Sequence, residues 1–141
     1  MKKLIFLLTL SFYVQNAHSQ TENKPKEEKP AVVDDGLSDT ERAKKEAREK
    51  IEGYRQRVLK GESMSALAKQ YSDDPGSAKE GGCYKDIARG VFVPEFEEVA
   101  FKLKPGEVSE VFETQYGFHF VQLIDRRGEV VDVRHILVKT K

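Results

Sequence analysis

Two histidines, His119 and His135, stand sixteen residues apart on what read as the two arms of one β-hairpin. An imidazole both donates and accepts hydrogen bonds, so whether the two share one surface decides whether they form a polar pair. The arms are Phe118 to Asp125 and Glu129 to Val138, and both are apolar or β-branched enough for buried strands. Between them lies Arg126-Arg127-Gly128, a three-residue loop whose last position suits a left-handed glycine. That loop pairs Asp125 with Glu129, sets His119 directly opposite His135, Val121 opposite Val133 and Leu123 opposite Val131. A two-residue loop would shift the register by one and send the rings to opposite faces. A single histidine on a strand is more often a structural residue than a functional one; the pairing is what points to chemistry. Asp74 before Pro75 is by itself an ordinary turn residue. Cys83 has no partner group suggesting a nucleophile, so a small apolar role is expected for it. Two histidines and one cysteine do not make a zinc set, because His18 falls in a segment expected to be removed.

The elements that must position this pair follow from periodicity. Ser38-Asp39-Thr40-Glu41 matches a capping box, with Ala43, Ala47, Ile51, Tyr54 and Val58 spaced for one face of a helix. Gly61 ends it, and Ser63 to Tyr71 gives a second helix with Met64, Leu67, Ala68 and Tyr71 inward. Ser72 to Ser77 is a turn cluster, and Gly81-Gly82 closes a polar loop. Cys83 to Ile87 reads as a short strand. Pro94 opens a third helix carrying Phe96, Val99, Ala100 and Phe101, since proline in a first turn forfeits no hydrogen bond. Val108 to Thr114 alternates like a half-buried strand, and Gln115-Tyr116-Gly117 turns the chain into the histidine hairpin. This is an α+β domain with one core.

Lys2 and Lys3 precede the apolar run Leu4 to Val14, and Ala17-His18-Ser19 offers small residues at the cleavage positions. Residues 1–19 are therefore expected to be a signal peptide cleaved after Ser19, which implies a periplasmic or secreted protein. The run falls short of the roughly 20 residues a bilayer core requires, and no membrane span is expected. Residues 20–36, rich in Lys, Glu and Pro, read as a solvated linker. Residues 37–141 suit one domain. With 24 basic and 24 acidic residues in 141, no basic field points to nucleic acid or to a membrane surface.

Four ordered segments carry a resemblance. They are Leu67 to Ala78 (LAKQYSDDPGSA), Val93 to Phe101 (VPEFEEVAF), Lys104 to Ser109 (KPGEVS) and Tyr116 to Val121 (YGFHFV), and together they resemble the parvulin-type peptidyl-prolyl cis-trans isomerases. Arg134 to Val138 (RHILV) resembles the strand that opens that family's domain, yet it stands last in this sequence. The resemblance implies a four-stranded antiparallel sheet wrapped by helices, with the opening and closing strands side by side at its centre. A circularly permuted chain builds the same sheet through one tight hairpin. Residues 129–138 as the stub of a second, lost domain are the alternative, but their apolar face would then be exposed.

Site roles also follow from the resemblance. It assigns His119 and His135 to the paired histidines, Asp74 to the acidic or thiol residue of the loop, and Thr114 to the hydroxyl before the last strand. Phe92 and Phe96 match the apolar wall that holds the substrate proline, and Tyr84 takes the place of an aliphatic wall residue. The Gly81-Gly82-Cys83-Tyr84-Lys85 stretch departs from the family's pattern there. Only Lys139-Thr140-Lys141 follow the RHILV strand, so the basic segment of phosphate-reading relatives is missing and phosphorylated substrates are not expected. The implied chemistry is rotation about an X-Pro bond, whose barrier of about 18–20 kcal/mol arises from amide resonance. An apolar cup that dries the carbonyl favours the less polar twisted amide, and His119, His135, Asp74 and Thr114 orient it. No covalent step, metal or cofactor is required. The expected function is an exported prolyl isomerase, acting as a monomer on unfolded or partly folded proline-containing polypeptides. The alternatives are an inactive proline-peptide binding module or holdase, and a strand-exchanged dimer.

Overall fold

Ser38 caps the first helix as its sequence dictates: its hydroxyl accepts from the Glu41 N–H at 3.3 Å, and the Glu41 carboxylate accepts from the Ser38 N–H at 2.9 Å. The computed structural model describes residues 36–141, so the expected signal peptide, 1–19, and all of the expected linker but Gly36 lie outside the described residues. Helix α1 runs Asp39–Leu59 and α2 Met64–Tyr71, followed by a 3₁₀ turn at Ala78–Glu80 that the polar loop concealed. Strand β1 is Cys83–Ile87, α3 Pro94–Ala100, β2 Phe112–Thr114, β3 Gly117–Arg127 and β4 Val130–Val138. The four strands form one antiparallel sheet in the order β1-β4-β3-β2, so the two histidine strands are central.

Alternation along β3 and β4 divides the core into two layers. Phe118, Phe120, Ile136 and Val138 pack against Ala47, Ile51 and Tyr54 of α1 and Met64, Leu67 and Ala68 of α2. Val121, Leu123, Val131 and Val133, on the opposite face, pack against Phe96 and Ala100 of α3. His119 and His135 share the parity of this second set, which puts both rings on the α3 side.

The histidine register differs from expectation. Arg127 pairs with Val130, leaving a two-residue loop of Gly128 and Glu129, with Gly128 at φ 58° in the first loop position that a type II′ turn reserves for glycine. Near the turn Asp125 pairs with Asp132; beyond it Leu123 pairs with Val133, so Ile124 is an extra residue bulged out of β3. That bulge reverses the parity change of the shorter loop. His119 consequently lies opposite Leu137, and His135 opposite Val121, two residues along the same face rather than directly across. Leu123 faces Val133, not Val131. The expected strand Val108 to Thr114 is regular only from Phe112; upstream it follows β3 through a Val108–Gln122 bridge and the Ser109 N–H bond to the Val121 carbonyl at 2.8 Å.

Candidate active site

The backbone brings four polar side chains into one line. Thr114 Oγ1 is 2.8 Å from His119 Nε2, His119 Nδ1 is 3.4 Å from His135 Nδ1, and His135 Nε2 is 2.8 Å from Asp74 Oδ2. The two imidazoles are nearly parallel, 5.6 Å between centroids and 13° between planes, as their diagonal offset on the sheet requires. Thr114 comes from the end of β2, the histidines from the central strands, and Asp74 from the turn after α2. That turn is fastened to β4 by Asp73 N–H to the Leu137 carbonyl at 2.8 Å and by Leu137 N–H to Ser72 Oγ at 3.2 Å.

Proton order in this line follows from its ends. Asp74 accepts from Ser77 Oγ at 2.5 Å, Tyr84 Oη at 2.9 Å and Gly76 N–H at 3.1 Å as well as from His135. The His135 bond, then those of Ser77, Gly76 and Tyr84, hold its carboxyl well below the usual carboxylate range, against the opposing effect of burial. A carboxylate only accepts, so His135 carries its proton on Nε2 and offers a lone pair at Nδ1. His119 must then donate from Nδ1 and accept at Nε2 from the Thr114 hydroxyl. Thr114 Oγ1 in turn accepts the Tyr116 N–H at 3.1 Å. With both rings in the neutral form, each link carries one proton. Burial, followed by the neighbouring His135, pushes the His119 pKa down to about 4, with Asp74 pulling weakly the other way.

Above this line lies a cleft of about 380 Å³ lined by six of the seven expected site residues: Asp74, Tyr84, Phe92, Phe96, His119 and His135. Thr114 is buried and does not line it, reaching the cleft only through His119. Phe96 presents its ring edge-on to both imidazoles, at 5.9 Å from His119 and 5.3 Å from His135, and touches Phe92 at 4.8 Å. Val91 and Tyr116, both more than half exposed, stand on the rim.

Three contributors were not evident in the sequence. Ser77 is fully buried and bonds both Asp74 and, at 3.1 Å, His135 Nε2, although a serine in a polar turn gives no sign of burial. Phe112, cross-strand from His119, stacks on it at 5.5 Å. Gly82, at φ 76°, accepts from His135 N–H at 2.9 Å, and a Cβ there would collide with the His135 carbonyl oxygen. Cys83 is half-buried and unpaired at the start of β1. Among the described residues no three His, Cys, Asp or Glu side chains converge to hold a metal, and no helix is long and apolar enough to cross a membrane.

Comparison with known proteins finds relatives of this chain. "Chaperone SurA" of Nitrosococcus oceani is 44% identical over 87 residues, which are 62% of this chain and 20% of that protein. "Foldase protein PrsA" of Caldanaerobacter subterraneus is 51% identical over 67 residues, 48% of this chain and 22% of that one. The chain thus spans about a fifth of these relatives' length. The crystal structure of the peptidylprolyl isomerase PrsA from Bacillus cereus superposes with a TM-score of 0.55 at 36% identity, over 58% of this chain and 32% of that one. The rotamase family model, described as the PPIC-type PPIase domain, matches residues 24–125, ending before β4. With that model covering most of the sequence, over a four-stranded α+β fold, the chain belongs to the PPIC-type, parvulin-like family of peptidyl-prolyl isomerase domains.

Proposed function

We propose that this domain isomerises X-Pro bonds in unfolded or partly folded exported polypeptides, without covalent chemistry. The observation that carries the reading is the hydrogen-bonded Thr114–His119–His135–Asp74 line on the polar side of an otherwise apolar cleft. Phe92, Phe96 and Tyr84 provide a surface for a proline ring and exclude water from the adjoining carbonyl. A planar amide owes its polarity to resonance, so a dry wall disfavours it relative to the twisted state, and this difference lowers the barrier. The histidine pair, hydrogen-bonded between the Asp74 carboxylate and Thr114, fixes the polar edge of the cleft. Export is supported by Lys2, Lys3 and the apolar run Leu4 to Val14, and intact mass beginning at Gln20 would test it.

We also read the order of elements as a circular permutation. β4 carries the RHILV segment, lies between β1 and β3, and falls beyond the family match. Its two-residue hairpin to β3 favours completion of the chain's own sheet over strand exchange.

NMR exchange spectroscopy on a short Ala-Pro peptide tests the activity. Acceleration of cis/trans exchange at catalytic protein concentration is expected, and disappears in His119→Ala. Saturable peptide binding without acceleration would make the domain a proline-peptide binding module or holdase instead.

A further inference from the structure

Tyr84 brings a hydroxyl into a wall that needs only apolar surface. Its ring lies edge-on to Phe92 at 5.2 Å and tilted to His135 at 5.7 Å, and the residue lines the cleft. The hydroxyl donates to Asp74 Oδ2, which also receives Ser77 and His135. A carboxylate oxygen offers about two lone-pair sites, so three donors exceed its capacity and one can leave without stranding it. Ser77 is fully buried and does not line the cleft. The His135 proton sets the tautomer of the whole line. That leaves the Tyr84 hydroxyl as the donor free to turn toward a ligand.

We propose that Tyr84 donates a hydrogen bond to the prolyl nitrogen of the substrate as the amide twists, a role that rests on the isomerase reading above. In the planar amide the nitrogen lone pair is delocalised into the carbonyl and accepts poorly; rotation returns it to nitrogen. A hydrogen bond to it therefore strengthens toward the transition state and accelerates the reaction without tightening ground-state binding. No covalent bond breaks. The O–H stays on tyrosine, swings from Asp74 Oδ2 to the nitrogen, and returns when the amide is planar again. The other candidate protons are engaged or solvated: those of His119, His135 and Thr114 are used along the polar line, and Tyr116 and Lys139 are exposed at the mouth. Tyr84 is thus assigned as a catalytic residue.

The test compares the parent with Tyr84→Phe and Tyr84→Leu by NMR exchange at saturating peptide, reading the on-protein interconversion rate separately from Kd. Both variants should interconvert about tenfold more slowly, the value of one hydrogen bond, while Tyr84→Phe keeps the parent's Kd. The ring-nitrogen shifts of His119 and His135 should not move in Tyr84→Phe. An unchanged rate in Tyr84→Phe overturns the proposal. So does a rate loss matched by loss of affinity, or accompanied by altered ring-nitrogen shifts, since Tyr84 would then act as a wall or through Asp74. A parent that fails to accelerate exchange refutes the isomerase reading first, before any variant is compared.

Discussion

Acidification should destabilise this domain in a window set by His119. Its ring is buried against Phe96 and Phe112, its Nδ1 faces the Nδ1 of His135, and Asp74 lies beyond that ring. In the unfolded chain the imidazole titrates at its ordinary value of 6.5; in the folded domain burial and His135 move that to about 4. Between these values the unfolded chain holds a proton that the folded one does not, so stability rises with pH and falls as pH drops through the window. Each pH unit is worth about 1.4 kcal/mol, giving a loss of roughly 3 kcal/mol from His119 alone by the lower end, a sizeable part of a small domain's stability. Below about pH 4 both states carry the proton and this loss grows no further. Asp74 acts separately: its depressed carboxyl stabilises the fold above the unfolded Asp value, and that stabilisation disappears as pH falls toward its folded value. The assay is urea unfolding from about pH 7 to about pH 4 for the parent and His119→Gln, with ring titration by NMR. The variant should start less stable and converge on the parent as pH falls, because it lacks the titrating ring. Parallel stability curves, or a His119 ring titrating at 6.5 or above, would refute this account of the site's protonation.

Three further outcomes are expected. Truncation after Gly128 removes β4, bonded on one side to β1 and on the other to β3; the remaining chain should show a collapsed NMR spectrum and no isomerisation, and a folded, active truncate would dismiss the permuted sheet. Gly82→Ala forces a Cβ against the His135 carbonyl in a left-handed backbone and should cost about 3 kcal/mol or more in urea unfolding; a cost near zero would show that β1 can move away from β4 freely. Phe96→Ala opens a void under both imidazoles, so a loss of about 3–5 kcal/mol in unfolding free energy and weaker peptide binding are expected.

Local sequence determined much of this molecule. The capping box, the spacing of Ala47, Ile51 and Tyr54, and Pro94 at a helix start are decided within one or two turns of chain, and each reappears where periodicity places it. Alternation assigned His119 and His135 to strands, and the four family-like segments pointed to the residues around them. Direct pairing of the two histidines, expected from a three-residue loop, does not occur, because loop length alone does not set register. Burial of Leu123, Val131 and Val133 against α3 is compatible with a two-residue turn only if one residue is expelled, and Ile124, partly exposed, is that residue. The two errors of count offset each other, so the rings still share a face, two residues out of direct alignment. What tertiary structure alone decided is the delivery of Asp74 and Ser77 to His135 across about sixty residues of sequence, through a turn fastened to β4 by backbone bonds. No local pattern reports such an approach. Whether a turn aspartate is a solvated cap or the acceptor that fixes two buried imidazoles depends on which strand packs beside it, and that is settled only when the whole sheet closes.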